Sequence, residues 1–137
     1  MPHTCQAIVL SCIDFRFNQQ MIEELKKRGI DKFDLKCDAG GVKYLISEDK
    51  PGVRDWILEN IDTAKRLHKI EKIVLINHYD CGAYGGNSTW ESDESQTKFQ
   101  SDELAQAKSM LSQKYPDLSI ETILARLENG KVYLQST

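Results

Sequence analysis

The chain has 137 residues, of which 40% are hydrophobic and 28% charged, as is typical of a globular protein with one core. Its formal net charge of −3 and the lack of a basic run argue against nucleic-acid binding. No apolar run approaches the ~20 residues of a membrane-spanning helix, and the first residues do not follow the pattern of a secretion signal. We therefore expect one domain over residues 1–137, a cytoplasmic location, and no membrane or nucleic-acid partner.

The first half of the chain alternates predicted strands with predicted helices. Nearly continuous apolar runs indicate strands covered on both faces, and a shorter alternating run indicates one more. These strands are predicted at residues 6–13, 32–37 and 72–77. Apolar residues at intervals of three or four indicate amphipathic helices between them. The helices are predicted at residues 18–29 and 51–67, with a short helical turn at 42–47.

The second half begins with a polar and acidic segment, residues 87–103, which we expect to be a mobile surface loop. An amphipathic helix follows, with Leu104, Ala107 and Leu111 at helical spacing. Residues 118–127 and 131–135 are predicted to be strands, because Asn129-Gly130 between them is a strong signal for a hairpin turn.

This order of elements predicts an α/β fold with a mostly parallel central sheet flanked by helices. Right-handed crossovers favour the strand order 2-1-3-4, with the C-terminal strand added as an antiparallel edge strand. The chain then changes direction between the first and third strands. Open α/β sheets bind ligands in the crevice at such a switch point.

Two reactive motifs follow the two strands that border this crevice. Cys12 lies at the end of the first strand, and His78-x-x-Cys81 follows the third. Two thiolates and one imidazole are strong ligands for Zn²⁺, and three protein ligands leave a fourth position open for catalysis. Either motif alone is also compatible with buried packing residues, and it is their coincidence that favours a metal site.

Asp14 and Arg16 lie two and four residues after Cys12. In an extended chain these three side chains would share one face. Asp14 could serve as a fourth ligand and close the site, or it could form an ion pair with Arg16 beside the metal. The Gly40-Gly41 loop after the second strand permits a close backbone approach and could offer N–H groups to a bound substrate, although a plain turn is an equal alternative.

The other cysteines and a further histidine have simpler interpretations. Without a secretion signal, free thiols or metal ligands are expected rather than disulfides. We expect Cys5 and Cys37 to be buried apolar side chains and His68 to be a favourable charge near a helix C-terminus. No Cys-x-x-Cys motif occurs, which argues against a thiol-redox function.

Three motifs together resemble the β-class carbonic anhydrases, and look closest to their short archaeal- and bacterial-type branch. The motifs are Cys12-x-Asp14-x-Arg16, Ala39-Gly40-Gly41 and His78-x-Asp80-Cys81-Gly82. The resemblance implies zinc bound by Cys12, His78 and Cys81, with Asp14 and Arg16 as a dyad beside it. It also implies a homodimer or a dimer of dimers. The chain departs from the family pattern at Cys37-Asp38 and in its short N-terminal segment.

The implied reaction is the reversible hydration of CO₂ to bicarbonate and a proton by zinc-bound hydroxide. In this mechanism Arg16 keeps Asp14 ionised and away from the metal, and Asp14 orients the hydroxide. Loss of the ion pair would let Asp14 bind zinc and block the site. Two alternatives remain open: a related zinc hydrolase acting on CS₂ or COS, and a non-catalytic zinc-binding module.

Overall fold

The computed structural model describes residues 3–137, which form a five-stranded mixed sheet between two layers of helices. The strands are β1 (Ala7–Ser11), β2 (Phe33–Cys37), β3 (Lys72–His78), β4 (Ser119–Glu128) and β5 (Lys131–Ser136). Their order in the sheet is β2-β1-β3-β4-β5. The first four run parallel, and β5 pairs antiparallel with β4. The predicted fold class and strand order are therefore confirmed.

The helices cover both faces of the sheet because the central strands are apolar on both sides. They are α1 (Phe15–Lys27), α2 (Lys43–Ile46), α3 (Val53–His68) and α4 (Asp93–Lys114). One face of β1, with Ala7 and Val9, packs against α1, while the other face, with Ile8 and Leu10, packs against α2, α3 and α4. Every residue of β1 is buried.

The predicted start of α1 was wrong by three residues, and β1 ends earlier than expected. The strand stops at Ser11, and the helix begins at Phe15 with Asp14 as its N-cap. The Asp14 side chain accepts a hydrogen bond from the Arg16 backbone N–H at 2.9 Å. Asp14 and Arg16 therefore meet through a helix cap and not through alternation along an extended strand.

The mobile loop predicted at residues 87–103 was also wrong. Most of this segment is the first part of α4, which begins at Asp93 and is capped by Ser92 and Ser95. On the first half of α4 the buried side chains are the polar residues Gln96 and Gln100. The apolar stripe of the helix is therefore visible in the sequence only from Leu104 onwards. The side-chain oxygens of Gln100 and Gln96 accept hydrogen bonds from Asn77 on β3 and from the Asp80 N–H in the turn after it, which offsets part of the cost of burial.

The remaining predictions of secondary structure agree with the structure within one or two residues. At the β4–β5 hairpin, Asn129 and Gly130 have φ values of 52° and 74°, the left-handed pair that a two-residue hairpin needs. Cys5 and Cys37 are half-buried, so the prediction that they are buried apolar residues was wrong. Within the described residues 3–137, no helix combines the length and apolarity needed to cross a membrane.

Candidate metal centre

Cys12, His78 and Cys81 meet at the C-terminal edge of the parallel strands, and we call them the C-edge cluster. Their ligand atoms all lie within 4.8 Å of one another, and the two Sγ atoms are 3.9 Å apart. Ligands of one tetrahedral Zn²⁺ lie roughly 3.3–3.8 Å apart for metal–ligand bonds of 2.0–2.3 Å. The parallel pairing of β1 with β3 brings together two cysteines 69 residues apart in the chain.

The histidine of the cluster presents a free lone pair to it. His78 Nδ1 is 2.7 Å from the Tyr79 carbonyl oxygen, which can only accept, so Nδ1 carries the proton and donates. His78 Nε2 is buried and has no hydrogen-bond partner. The Phe17 ring, with its centroid 4.2 Å from that of the imidazole, fixes the ring plane. A buried nitrogen without a partner is costly unless an ion binds it, so the donors fit a metal.

The two thiols share their environment so closely that they titrate as a pair. Contact with Cys81 lowers the pKa of the Cys12 thiol, helped by the Gly40 N–H, which donates to Cys12 Sγ at 3.4 Å. The same contact, together with burial, raises the pKa of Cys81. Protein groups alone thus favour one thiolate, and removal of the second proton needs the positive charge of a cation.

Beside the cluster, the Arg16 guanidinium forms a bidentate ion pair with the Asp14 carboxylate. Arg16 Nε lies 3.0 Å from Asp14 Oδ1, and Arg16 Nη2 lies 2.6 Å from Asp14 Oδ2. These bonds hold the pKa of the Asp14 carboxyl below its usual range. Asp14 Oδ2 is 3.8 Å from His78 Nε2, so an ionised carboxylate lies at the rim of the cluster while Arg16 restrains it.

Asp80 is a third member of this ion-pair network that the sequence analysis did not place there. Arg16 Nη1 donates to Asp80 Oδ2 at 3.0 Å, and Arg16 Nη2 donates to the Asp80 carbonyl at 3.1 Å. The Asp80 backbone is left-handed, with φ of 58°, and this conformation turns both acceptors towards Arg16. Its N–H donates to Gln96 Oε1 at 2.8 Å. Because residues 93–103 were taken for a loop, this support from α4 was missed.

Gly40 and Gly41 support the cluster through backbone geometry. Gly40 N–H donates to Cys12, and Gly41 N–H donates to the Asp38 carbonyl at 2.9 Å. A Cβ at Gly41 would lie 2.4 Å from Asn77 Oδ1, so the loop packs directly on the end of β3. Both N–H groups have partners within the chain, and the role of Gly40 and Gly41 in binding substrate stays a prediction.

A surface cleft of about 570 Å³ opens on the outer side of Asp14 and Arg16. Its rim includes Ile13 and Phe15, whose exposed fractions of 57% and 86% are unusually large for such apolar side chains. The interior wall is formed by the glycines that follow Cys81. Phe15 is therefore almost fully exposed, whereas Phe17 is buried beside His78.

Comparison with known sequences finds relatives in two Rickettsia species. An uncharacterized protein of Rickettsia conorii is 29% identical over 125 residues, which span 88% of this chain and 67% of the relative. An uncharacterized protein of Rickettsia bellii is 27% identical over the same length, 76% of that relative. The similarity thus extends over nearly the whole chain.

Solved structures with the same fold include β-carbonic anhydrases and a carbon disulfide hydrolase. A β-carbonic anhydrase of Aspergillus fumigatus matches with a TM-score of 0.69 and 14% identity over 98% of this chain and 76% of its own. A tetrameric β-carbonic anhydrase of Sordaria macrospora matches with a TM-score of 0.66 and 12% identity over 98% and 83%. A carbon disulfide hydrolase matches with a TM-score of 0.60 and 18% identity over 97% and 79%. At these identities the likeness shows the fold.

The family comparison covers almost the entire sequence. The family described as "Putative carbonic anhydrase" matches residues 2–132, which include all three motifs and every element up to the start of β5. The matched residues include the first four strands of the sheet and all three residues of the C-edge cluster. The chain belongs to the putative carbonic anhydrase family.

Proposed function

We propose that the protein is a zinc-dependent carbonic anhydrase that interconverts CO₂ and bicarbonate. The observation that carries the proposal is the buried C-edge cluster, in which the unpartnered His78 Nε2 converges with two thiols beside the Asp14–Arg16 pair. Family membership supports the same reaction. The cytoplasmic location and the short archaeal- and bacterial-type branch are further parts of the proposal.

In this proposal Cys12, His78 and Cys81 hold the zinc ion. When bound, zinc supplies a Lewis acid that makes water a nucleophile near neutral pH. The Tyr79 carbonyl fixes the His78 tautomer, and the Gly40 N–H stabilises negative charge on Cys12. Three ligands leave one position of a tetrahedral ion for chemistry.

Asp14 and Arg16 are proposed to control that fourth position. Held by Arg16, the Asp14 carboxylate is ionised and can accept a hydrogen bond from the attacking water, which orients the water towards CO₂. Its Oδ2 atom lies close enough to the cluster for Asp14 to become a fourth ligand in a closed state if Arg16 releases it. Asp80 opposes that release because it holds Arg16 from the other side.

Zinc content and stopped-flow CO₂ hydration test the proposal directly. The wild-type chain should hold zinc at the C-edge cluster and hydrate CO₂, while Cys81→Ser should lose both, because a hydroxyl is a poor zinc ligand. Cys37→Ser is the matched control, since Cys37 is a half-buried thiol that contacts Ser11 and belongs to no cluster. Zinc-loaded wild type that fails to hydrate CO₂ would contradict the enzyme and favour a non-catalytic zinc-binding module.

Absorption-edge spectroscopy of the zinc ion tests the role of Asp14. The spectra of wild type and Asp14→Ala should differ at acidic pH, where the closed state is expected, because only wild type can supply a carboxylate ligand. Coordination that is identical in both proteins from acidic to alkaline pH would rule out the closed state and leave Asp14 as an orienting group.

Hydrolysis of CS₂ or COS is the second candidate, and the similarity to a carbon disulfide hydrolase favours it. Both reactions attack a linear, apolar triatomic molecule with water and can use the same metal centre. Parallel assays with CO₂, COS and CS₂ on the same zinc-loaded sample distinguish them. A higher kcat/KM for CS₂ than for CO₂ would replace the first proposal.

We also propose that the protein forms a homodimer or a dimer of dimers. The exposed Ile13 and Phe15 at the cleft support this, as does the similar fold of the tetrameric enzyme from Sordaria macrospora. Analytical ultracentrifugation should show an even-numbered assembly, and Phe15→Ser should shift it towards monomer. A wild-type monomer at micromolar concentration would contradict the proposal.

A further inference from the structure

A second group of metal-binding side chains lies at the opposite edge of the sheet. Cys5 precedes β1, Asp34 lies near the start of β2, and His68 is the last residue of α3. We call these three residues the N-edge cluster, because they surround the N-terminal ends of the parallel strands. Their ligand atoms also lie within 4.8 Å of one another. None of them takes part in the proposed reaction.

The side chains of the N-edge cluster converge on the Asp34 carboxylate. Asp34 Oδ2 is 2.7 Å from His68 Nδ1 and 3.9 Å from Cys5 Sγ. A tetrahedral divalent ion requires roughly 3.3–3.8 Å between donors, so the Asp34 carboxylate and the His68 ring must move apart to admit one.

The backbone around the cluster is held by the sheet. The Cys5 N–H donates to the His68 carbonyl at 3.0 Å, which ties the segment before β1 to the end of α3. The pairing of Ile8 with Asp34 fixes the position of the carboxylate relative to the same segment. The three donors thus come from three elements whose relative positions are set before any ligand binds, which lowers the cost of binding.

The surroundings leave room for the remaining ligands of an ion. A recess of about 250 Å³ borders Asp34 and His68, with the polar residues Asn60 and Thr63 on its wall. The nearest lysine of that recess, Lys36, is paired with Asp38 at 2.9 Å and so does not satisfy Asp34. Water molecules in the recess could complete the coordination shell.

We propose that the N-edge cluster is a second metal site that binds a borderline-soft divalent ion such as Zn²⁺ or Co²⁺ through Cys5, Asp34 and His68. A thiol, an imidazole and a single carboxylate favour such ions over Mg²⁺ and Ca²⁺, which prefer sets of oxygen ligands. The site is half-buried and its carboxylate already bonds the histidine. It should bind more weakly than the C-edge cluster, because an ion must replace an existing hydrogen bond.

Titration of the metal-free full-length chain with Co²⁺ under reducing conditions tests the proposal. Thiolate-to-cobalt charge-transfer absorption reports each cysteine that binds. Wild type should take up two equivalents, and Cys5→Ser and Asp34→Asn should each take up one. In the Cys12→Ser/Cys81→Ser background one equivalent should remain, with absorption from a single thiolate. Adding Cys5→Ser should abolish that absorption, and adding Cys37→Ser should preserve it.

Affinity for the second equivalent provides a further measure. His68→Asn should weaken it by at least about tenfold, since loss of even an outer-shell partner weakens metal binding by about 10–100-fold. Uptake of only one equivalent by wild type would overturn the proposal, as would a second equivalent unaffected by Cys5→Ser and Asp34→Asn. These wild-type and single-variant counts decide the matter even if the double-cysteine background does not fold.

Discussion

The C-edge and N-edge clusters place similar metal-binding side chains at opposite edges of one sheet. They differ in whether the histidine already has a hydrogen-bond partner within its cluster. In the C-edge cluster all three residues are buried, and His78 Nε2 has no partner. In the N-edge cluster the side chains of His68 and Asp34 are each about one-third exposed and already bond each other. The first arrangement is costly without an ion, and the second is stable without one.

The thiols of the two clusters differ in the same sense. The pKa of Cys12 is lowered by its contact with Cys81, whereas burial and then the Asp34 carboxylate raise the pKa of Cys5. The C-edge cluster therefore favours a thiolate at Cys12 alone, while the pKa of Cys81, like that of Cys5, is raised. A buried donor without a partner is thus a stronger sign of a metal site than the presence of metal-binding residue types. Four experiments test this contrast between the clusters.

The largest effect is expected for His78→Asn. The asparagine amide can still donate to the Tyr79 carbonyl, but it has no group in place of Nε2, so the metal-facing lone pair is lost together with the ring contact to Phe17. We expect loss of zinc and a decrease of more than about 100-fold in CO₂ hydration. Changes to residues that only hydrogen-bond a metal ligand typically cost about 10–100-fold. His3→Asn, at an exposed histidine outside both clusters, is the control. Retained zinc in His78→Asn would remove the distinction between the clusters.

Two glycine variants compare how closely the backbone is packed at the two edges of the sheet. Gly41→Ala should cost about 2–5 kcal/mol of unfolding free energy, because left-handed backbone and overpacking each carry a penalty. Its Cβ would lie 2.6 Å from the Ile76 carbonyl oxygen. Gly29, near the N-terminal edge, also has a left-handed backbone but no atom within 4 Å of an added Cβ. Gly29→Ala should cost only about 1–2 kcal/mol. Equal losses in urea unfolding would contradict the packing argument.

Asp80→Asn tests whether the ion pair between Asp80 and Arg16 contributes to activity at the C-edge cluster. Asparagine tolerates the left-handed backbone, so the variant removes charge without adding strain. Loss of one charge-assisted hydrogen bond is worth about 1.5 kcal/mol, which predicts a decrease of roughly tenfold in CO₂ hydration with zinc retained. Unchanged kinetics at full zinc content would show that Asp14 needs no support from Asp80.

The smallest effect concerns Glu103 on α4, whose pKa is raised by burial. Because the folded protein holds this proton more tightly than the unfolded chain, the contribution of Glu103 to stability is present below about pH 4.3 and is lost as pH rises through the folded value. Urea unfolding of metal-free protein should therefore show a smaller decline of stability above pH 4.3 in Glu103→Gln. An identical pH profile would show that α4 does not desolvate this carboxylate.

Much of the C-edge cluster could be predicted from the sequence, because strand ends and ligand types are both visible in it. Apolar runs locate β1 and β3, and parallel pairing then brings Cys12 to His78 and Cys81. The meeting of Asp14 with Arg16 was anticipated, but its local cause was not. A helix cap depends on backbone geometry that residue spacing alone does not define.

What could not be predicted depends on partners distant in sequence. Gln96 and Gln100 read as surface residues, and only the turn at Asp80 and the β3 residue Asn77 explain their burial. Cys5, Asp34 and His68 likewise carry no shared motif. They are assembled by strand register and by the end of α3, and neither is encoded in a short stretch of sequence.

The parallel pairing of β1 with β3 also determines how an ion at the C-edge cluster would be captured and lost. His78 and Cys81 are local to one turn, but Cys12 joins them only after the two strands have paired. The unfolded chain therefore offers no complete chelate, unlike a zinc finger with ligands grouped along the sequence. Heating should release the ion in the same cooperative transition that separates the strands, with one midpoint for a metal-sensitive dye and for circular dichroism.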